Sequence, residues 1–264
     1  MLVVVVPHAH AVSLQAAAIV ADLVAARPRA VLGLAAGTTP VGLYHELGRR
    51  HAGGLDFSGL TAFALDDYLD LAPGHPAGFR RCFDTHLLAG TNLAAAALHL
   101  PDIRPGADVA TACAAFDQAI AAAGGIDLQI LGIGGNGHIG FNEPGSSLAG
   151  RTRLVRLSAA TRAANTGAFP PGEAVPEAAV TMGVGTILAA RRILLLATGA
   201  AKAAVVAAAV EGPVTARLPA SALQLHPDAT VLLDEAAANR LDLRAHYSAE
   251  VALLRSRTGW PPLP

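Results

Sequence analysis

The sequence predicts one α/β domain over residues 1–264, a mostly parallel sheet with helices on both faces. Two observations predict it. Short apolar runs that do not alternate with polar residues recur along the chain, separated by alanine-rich helical stretches; strands buried on both faces read that way. Several of these runs also end in a glycine-rich or acidic cluster, and the carboxyl ends of strands are where open parallel sheets place their ligands. No linker, low-complexity segment or internal repeat divides the chain.

Each element follows from local residues. Leu2–Val6 is the first strand, too short before Pro7 for a membrane span and without the basic segment of a signal peptide. A helix over 11–26 leads to a strand at Ala30–Leu34. Gly37-Thr38-Thr39-Pro40 then opens a helix over 40–50, with proline suited to the first helical position and threonine to the cap. The same turn offers free N–H groups and the positive end of a helix dipole to an anion. After the strand Thr61–Leu65 come Asp66 and Asp67. Adjacent carboxylates there serve as a helix cap or solvated loop, or include a general base if burial lifts one pKa. Helices over 77–89 and 107–123 precede a strand at Asp127–Leu131. Phe169–Pro176 is expected to be a mobile loop. Strands at Arg192–Ala197 and Ala229–Leu233 are followed by helices over 199–210 and 234–246.

Composition narrows the function. A net charge of -1 gives no basic field for nucleic acid. Cys82 and Cys113 form no disulfide framework or CxxC pair and read as small buried hydrophobes, which fits a cytoplasmic protein. No residue set has metal-ligand spacing, so no metal is expected. Lys202 is the only lysine in a chain otherwise basic through arginine. It stands in Thr198-Gly199-Ala-Ala-Lys202, in the first turn of a helix, where it opposes the dipole unless an anion lies between.

The densest cluster is Gly132-Ile-Gly-Gly-Asn136-Gly137-His138-Ile-Gly-Phe-Asn142-Glu143. It matches GxGxxG after a strand, but a dinucleotide site needs a helix to begin there, and Gly140, Pro144 and Gly145 forbid a long one. A glycine-rich turn that packs Asn136, His138, Asn142 and Glu143 together instead brings backbone close to a ligand. A carboxylate five residues from a histidine can fix its tautomer and raise its basicity.

This cluster closely resembles the signature loop of the glucosamine-6-phosphate deaminase family. Leu65-Asp-Asp-Tyr68, the 37–40 turn, Thr181-Met-Gly-Val-Gly185, Gly199-Ala-Ala-Lys202 and Ser221-Ala-Leu-Gln-Leu-His-Pro227 follow in family order. The resemblance implies a Rossmann-like sheet and conversion of an aminosugar 6-phosphate and water to a ketose 6-phosphate and ammonia, without cofactor. By position it implies that Asp66 is the base moving a proton from C2 to C1. It implies that His138 helps open the pyranose ring, and that Asn136 and Glu143 flank and orient His138. Gly37, Thr38, Thr39 and Lys202 would hold the phosphate, and Asp67 and Gly137 would line the substrate. The expected partner is a small sugar phosphate, with no nucleic acid or membrane; a homo-oligomer is compatible with the sequence.

Three positions depart from the allosteric or commonest members of the family. Asn136 replaces an aspartate, as in non-allosteric members. Gly167 stands where many members place a phosphate-binding arginine, which keeps a galactosamine 6-phosphate substrate in play. Val155 replaces a lysine of the allosteric site, although Ser146, Ser147 and Arg153 remain, so allosteric activation is not expected. A lactonase is disfavoured by Phe141-Asn-Glu143, and a non-catalytic sugar-phosphate sensor by the presence of Asp66, His138 and Glu143 together.

Overall fold

The computed structural model describes residues 1–258. Its strands are β1 (Leu2–Val6), β2 (Val31–Leu34), β3 (Thr61–Ala64), β4 (Asp66–Tyr68), β5 (Leu98–His99), β6 (Leu128–Gly132), β7 (Arg153–Arg156), β8 (Ala178–Thr181), β9 (Ile193–Ala197) and β10 (Ala229–Asp234). Its helices are α1 (Ala9–Ala26), α2 (Val41–Ala52), α3 (Phe79–His86), α4 (Val109–Ala122), α5 (Ala159–Asn165), α6 (Val184–Leu188), α7 (Ala203–Val210) and α8 (Arg244–Thr258). Seven strands form an all-parallel, Rossmann-like sheet in the order β1-β10-β9-β6-β2-β3-β5. Alternate residues of each strand feed two cores. Val4, Leu32, Ile130 and Leu232 pack with α1, α2 and α3; Val31, Phe63, Leu131 and Leu195 pack with α4, α6 and α7. α1 is apolar and long enough to cross a membrane, but half of it is buried, and Ala16, Ala17 and Val20 lie in the first of these cores.

All six expected strands lie in this sheet. A second sheet was not foreseen: β4, β8 and β7 pair antiparallel, with β8 in the middle. Asp66 and Asp67 therefore belong to a strand, not to a cap or solvated loop. Two helix expectations need correction. The 37–40 turn does not cap α2 as read: Pro40 is itself the N-cap, and no side chain caps it. The stretch 234–246 is not a helix throughout; the chain turns over 235–240 and α8 starts at Arg244. The Asp234 carboxylate draws in Ala237 N–H at 2.8 Å, and the Glu211 carboxylate accepts from Asp242 and Leu243 N–H at 2.9 Å each, so these amides are committed outside a helix.

Candidate active site

Parallel strands put all their carboxyl ends on one edge. The strand order reverses between β2 and β6, the crevice where such sheets bind ligands. The neighbouring strands β9, β6, β2 and β3 deliver there Lys202, the 132–143 loop, the Gly37–Thr39 turn and Asp66 in turn. With strands about 4.8 Å apart, this row spans a sugar phosphate.

Asp66 is 6% exposed. Burial first, and the neighbouring Asp67 charge second, push its carboxyl well above the ordinary range. Asp67 is raised to about 6 by burial, moderated by N–H groups of Phe79 and Tyr68 that bond its Oδ1 at 3.1 and 2.8 Å and by nearby His75. An acid so placed can accept a proton near neutral pH.

The 132–143 loop folds over this acid. Gly134 lies against the His138 imidazole: a Cβ there would stand 2.2 Å from Cε1. Gly140 has φ 55°, and a Cβ on it would approach Thr181 Oγ1 to 2.7 Å and Asp66 Oδ2 to 3.3 Å. Only glycine lets the turn come this close to the base. Asn136 Nδ2 donates to Glu143 Oε2 at 2.7 Å, and its Oδ1 accepts His138 N–H at 3.2 Å. Burial alone would raise the Glu143 carboxyl, but bonds from Thr161, Ser158 and Asn136 outweigh it and hold the group below its usual range. His138 Nδ1 lies 3.9 Å from Glu143 Oε2, within ion-pair range but beyond a hydrogen bond. Burial lowers the imidazole pKa, Lys202 adds to this and Glu143 opposes it, so a neutral ring faces an ionised carboxylate.

Lys202 Nζ donates to Ile133 O at 2.8 Å, which brings the ammonium onto the loop that carries His138. The turn that carries Lys202 has one of its N–H groups already engaged. Gly199 N–H is taken by both oxygens of Asp234 at 3.0 Å, and residues 200–202 form a 3-10 turn before α7.

Residues 7–232 match the family described as glucosamine-6-phosphate isomerases/6-phosphogluconolactonase. This chain belongs to that family. A glucosamine-6-phosphate deaminase from Arthrobacter sp. (strain FB24) is 50% identical over 246 residues, 93% of this chain and 94% of the relative. The solved structure of a monomeric glucosamine-6-phosphate deaminase is 40% identical, with a TM-score of 0.87 over 91% of this chain and all of that one. The 6-phosphogluconolactonase from Trypanosoma cruzi shares the fold at 21% identity, with a TM-score of 0.74 over 91% of this chain and 96% of that one.

Other parts of this family member fall around the crevice. Gly137, with φ 87°, is buried beneath Leu218, where a Cβ would meet Cδ1 at 2.1 Å. Thr38 and Gly37 are exposed and Thr39 half-buried. Gly167 is exposed and open, so a long side chain would fit there. Phe169 and Val175 are buried against Tyr68 and Phe141, and Glu173 meets His75 at 2.8 Å, so the 169–176 loop is held near both ends while residues 171–174 stay exposed. Val155 packs against this same apolar cluster, and Arg153 is occupied by Asn142 and Ser146. Sequence reasoning gave no site role to Ser158 and Thr161, which hold Glu143, because nothing in their spacing marks them.

A cavity of about 660 Å³ at the opposite edge, lined by Arg27, Arg29, Asp127 and Arg191, has another explanation. Asp127 accepts from Arg27, Arg191 and Val31 N–H, while Arg191 also bonds the carbonyls of Gly124 and Gly125. Arg27 directly follows α1 and Arg191 bonds carbonyls just beyond α4, so both cations stand near the negative ends of helix dipoles.

Proposed function

We propose that this chain is a glucosamine-6-phosphate deaminase, converting glucosamine 6-phosphate and water to fructose 6-phosphate and ammonia. The observation that carries the reading is the buried Asp66 carboxylate set against the Gly140 turn, with His138 and Glu143 on the same loop. Neutral His138 relays a proton between the anomeric hydroxyl and the ring oxygen, opening the sugar. Glu143, tied to Asn136, Ser158 and Thr161, stabilises the transiently charged imidazole. Asp66 then removes the C2 proton and returns it at C1, while a proton passes from the C2 amino group to O1. The resulting ketimine takes up water and releases ammonia, leaving the ketose. Lys202 and the Gly37–Thr39 turn hold the phosphate; Asp67 and Gly137 line the sugar. The reading includes one catalytic domain over residues 1–264, a cytoplasmic location and a site completed within one chain.

Ammonia release measured with glucosamine and galactosamine 6-phosphates tests it. The glucosamine ester should be turned over faster. Asp66→Asn, which keeps the shape but not the basicity, should lower kcat by about 10²–10⁴. Near-normal turnover by that variant would remove Asp66 from its role.

A further inference from the structure

The Thr181-Met-Gly-Val-Gly185 segment has no part in the chemistry above, yet its register is specific. On the small sheet Thr181 is paired directly with Asp66 on one side and with Arg153 on the other. Residues directly opposite one another in antiparallel strands project from the same face. Asp66, Thr181 and Arg153 thus stand abreast, and the 139–146 segment lies across all three.

Each contact is of a different kind. Gly140 passes over Asp66. Thr181 Oγ1 accepts Phe141 N–H at 3.1 Å and donates to Met182 O at 3.2 Å, which turns a lone pair toward that amide. Arg153 donates to Asn142 Oδ1 at 2.8 Å and to Ser146 Oγ at 3.0 Å. Asn142, fully buried, spends its amide protons on Ile139 O and Met182 O at 3.0 and 2.7 Å. The glycines of the same segment admit the following chain: a Cβ at Gly183 would stand 2.1 Å from Gly150 O, and one at Gly185 2.6 Å from Ala149 O.

We propose that Thr181, with Arg153, is a positioning residue that sets the distance between the base Asp66 and the His138–Glu143 pair. Both belong to the small sheet that carries Asp66, so the 139–146 part of the loop is tied to the strand of the base as well as to β6, from which the loop emerges. The proposal rests on the deaminase reading for its kinetic consequence but not for its structural one.

The test uses the full chain with Thr181→Val and Thr181→Ser. Valine keeps the volume and leaves the Phe141 amide without an acceptor; serine keeps the oxygen. Thr181→Val should lower kcat by about 10²-fold, the scale of a misplacement near 1 Å, with KM little changed, and Thr181→Ser should recover most of the loss. Hydrogen exchange supplies a readout without turnover: in Thr181→Val the Phe141 amide should exchange faster while the β9 amides keep their protection. Uniform loss of protection, an unchanged Phe141 amide, or equal damage from both variants would overturn the proposal. If the parent protein releases no ammonia, the deaminase reading fails, and exchange at Phe141 still decides whether Thr181 holds the loop.

Discussion

At the scale of residues, the adjacent carboxylates Asp66 and Asp67 couple chemistry to pH. Removing the like charge beside Asp66 lowers its pKa, because that charge opposes ionisation. Asp67→Asn should therefore move the acid limb of kcat/KM to lower pH; an unmoved limb would show that the two groups do not interact. The same variant changes stability with a definite sign. Asp67 holds its proton to about 6 in the fold but only to about 3.9 in an unfolded chain. Between these values the native state binds the extra proton, so the stability contributed is full below the lower value and falls as pH rises. Asp67→Asn should abolish that fall, a gain of about 1–3 kcal/mol at pH 7 relative to pH 4 by urea unfolding. Lys202 makes a separate prediction. Lys202→Ala should raise KM for the phosphorylated sugar and leave weak activity on free glucosamine nearly unchanged, and Lys202→Arg should rescue part of the loss, since a planar guanidinium fits a crowded phosphate pocket poorly. Equal damage on both substrates would place Lys202 in the scaffold. The gathering of Asp66, Asn136, His138, Glu143 and Lys202 beyond the strand ends was legible in the sequence because polar residues follow apolar strands there; their chemical roles rest on the proposed function. Ser158 and Thr161 were not, since only tertiary folding brings them to Glu143.

Among the elements, Asp234 joins two strand ends by accepting N–H groups from Gly199 and Ala237 while buried. Asp234→Ala would leave both amides short of a partner, at a cost of about 1–3 kcal/mol. A lower urea midpoint at unchanged slope is the expected result; an unchanged midpoint would mean that water replaces the carboxylate. The larger sheet was readable because its strands are apolar runs of four to six residues, with only the two-residue β5 escaping. The smaller sheet was hidden by its chemistry. Asp66–Tyr68 is polar and three residues long, and its partner Ala178–Thr181 lies far along the chain, a pairing no local pattern reports. The helix expected over 234–246 failed because side chains of Asp234 and Glu211 captured amides that a helix would have used.

For the whole molecule, the sequence expectation that no metal takes part makes a prediction of its own. Among the described residues no three His, Cys, Asp or Glu side chains group as a metal site. Activity should persist after exhaustive dialysis against EDTA; loss restored only by a divalent ion would reveal ligands outside this set. The order of the large sheet bears on synthesis as well. β1 is made long before β10, yet Leu2 pairs with Thr230 on β10, the last strand among the described residues. At ribosomal speeds of about 5–20 residues per second, Leu-Val-Val-Val-Val waits roughly 10–50 s for its neighbour. Such a run, uncharged and rich in β-branched residues, is the kind that stacks with copies of itself. The next segment made is α1, whose Val12, Ala16 and Val20 share a core with Val4 and Val6. An early β1–α1 unit would shield one face of the strand while the ribosome completes β10, its only neighbour in the large sheet.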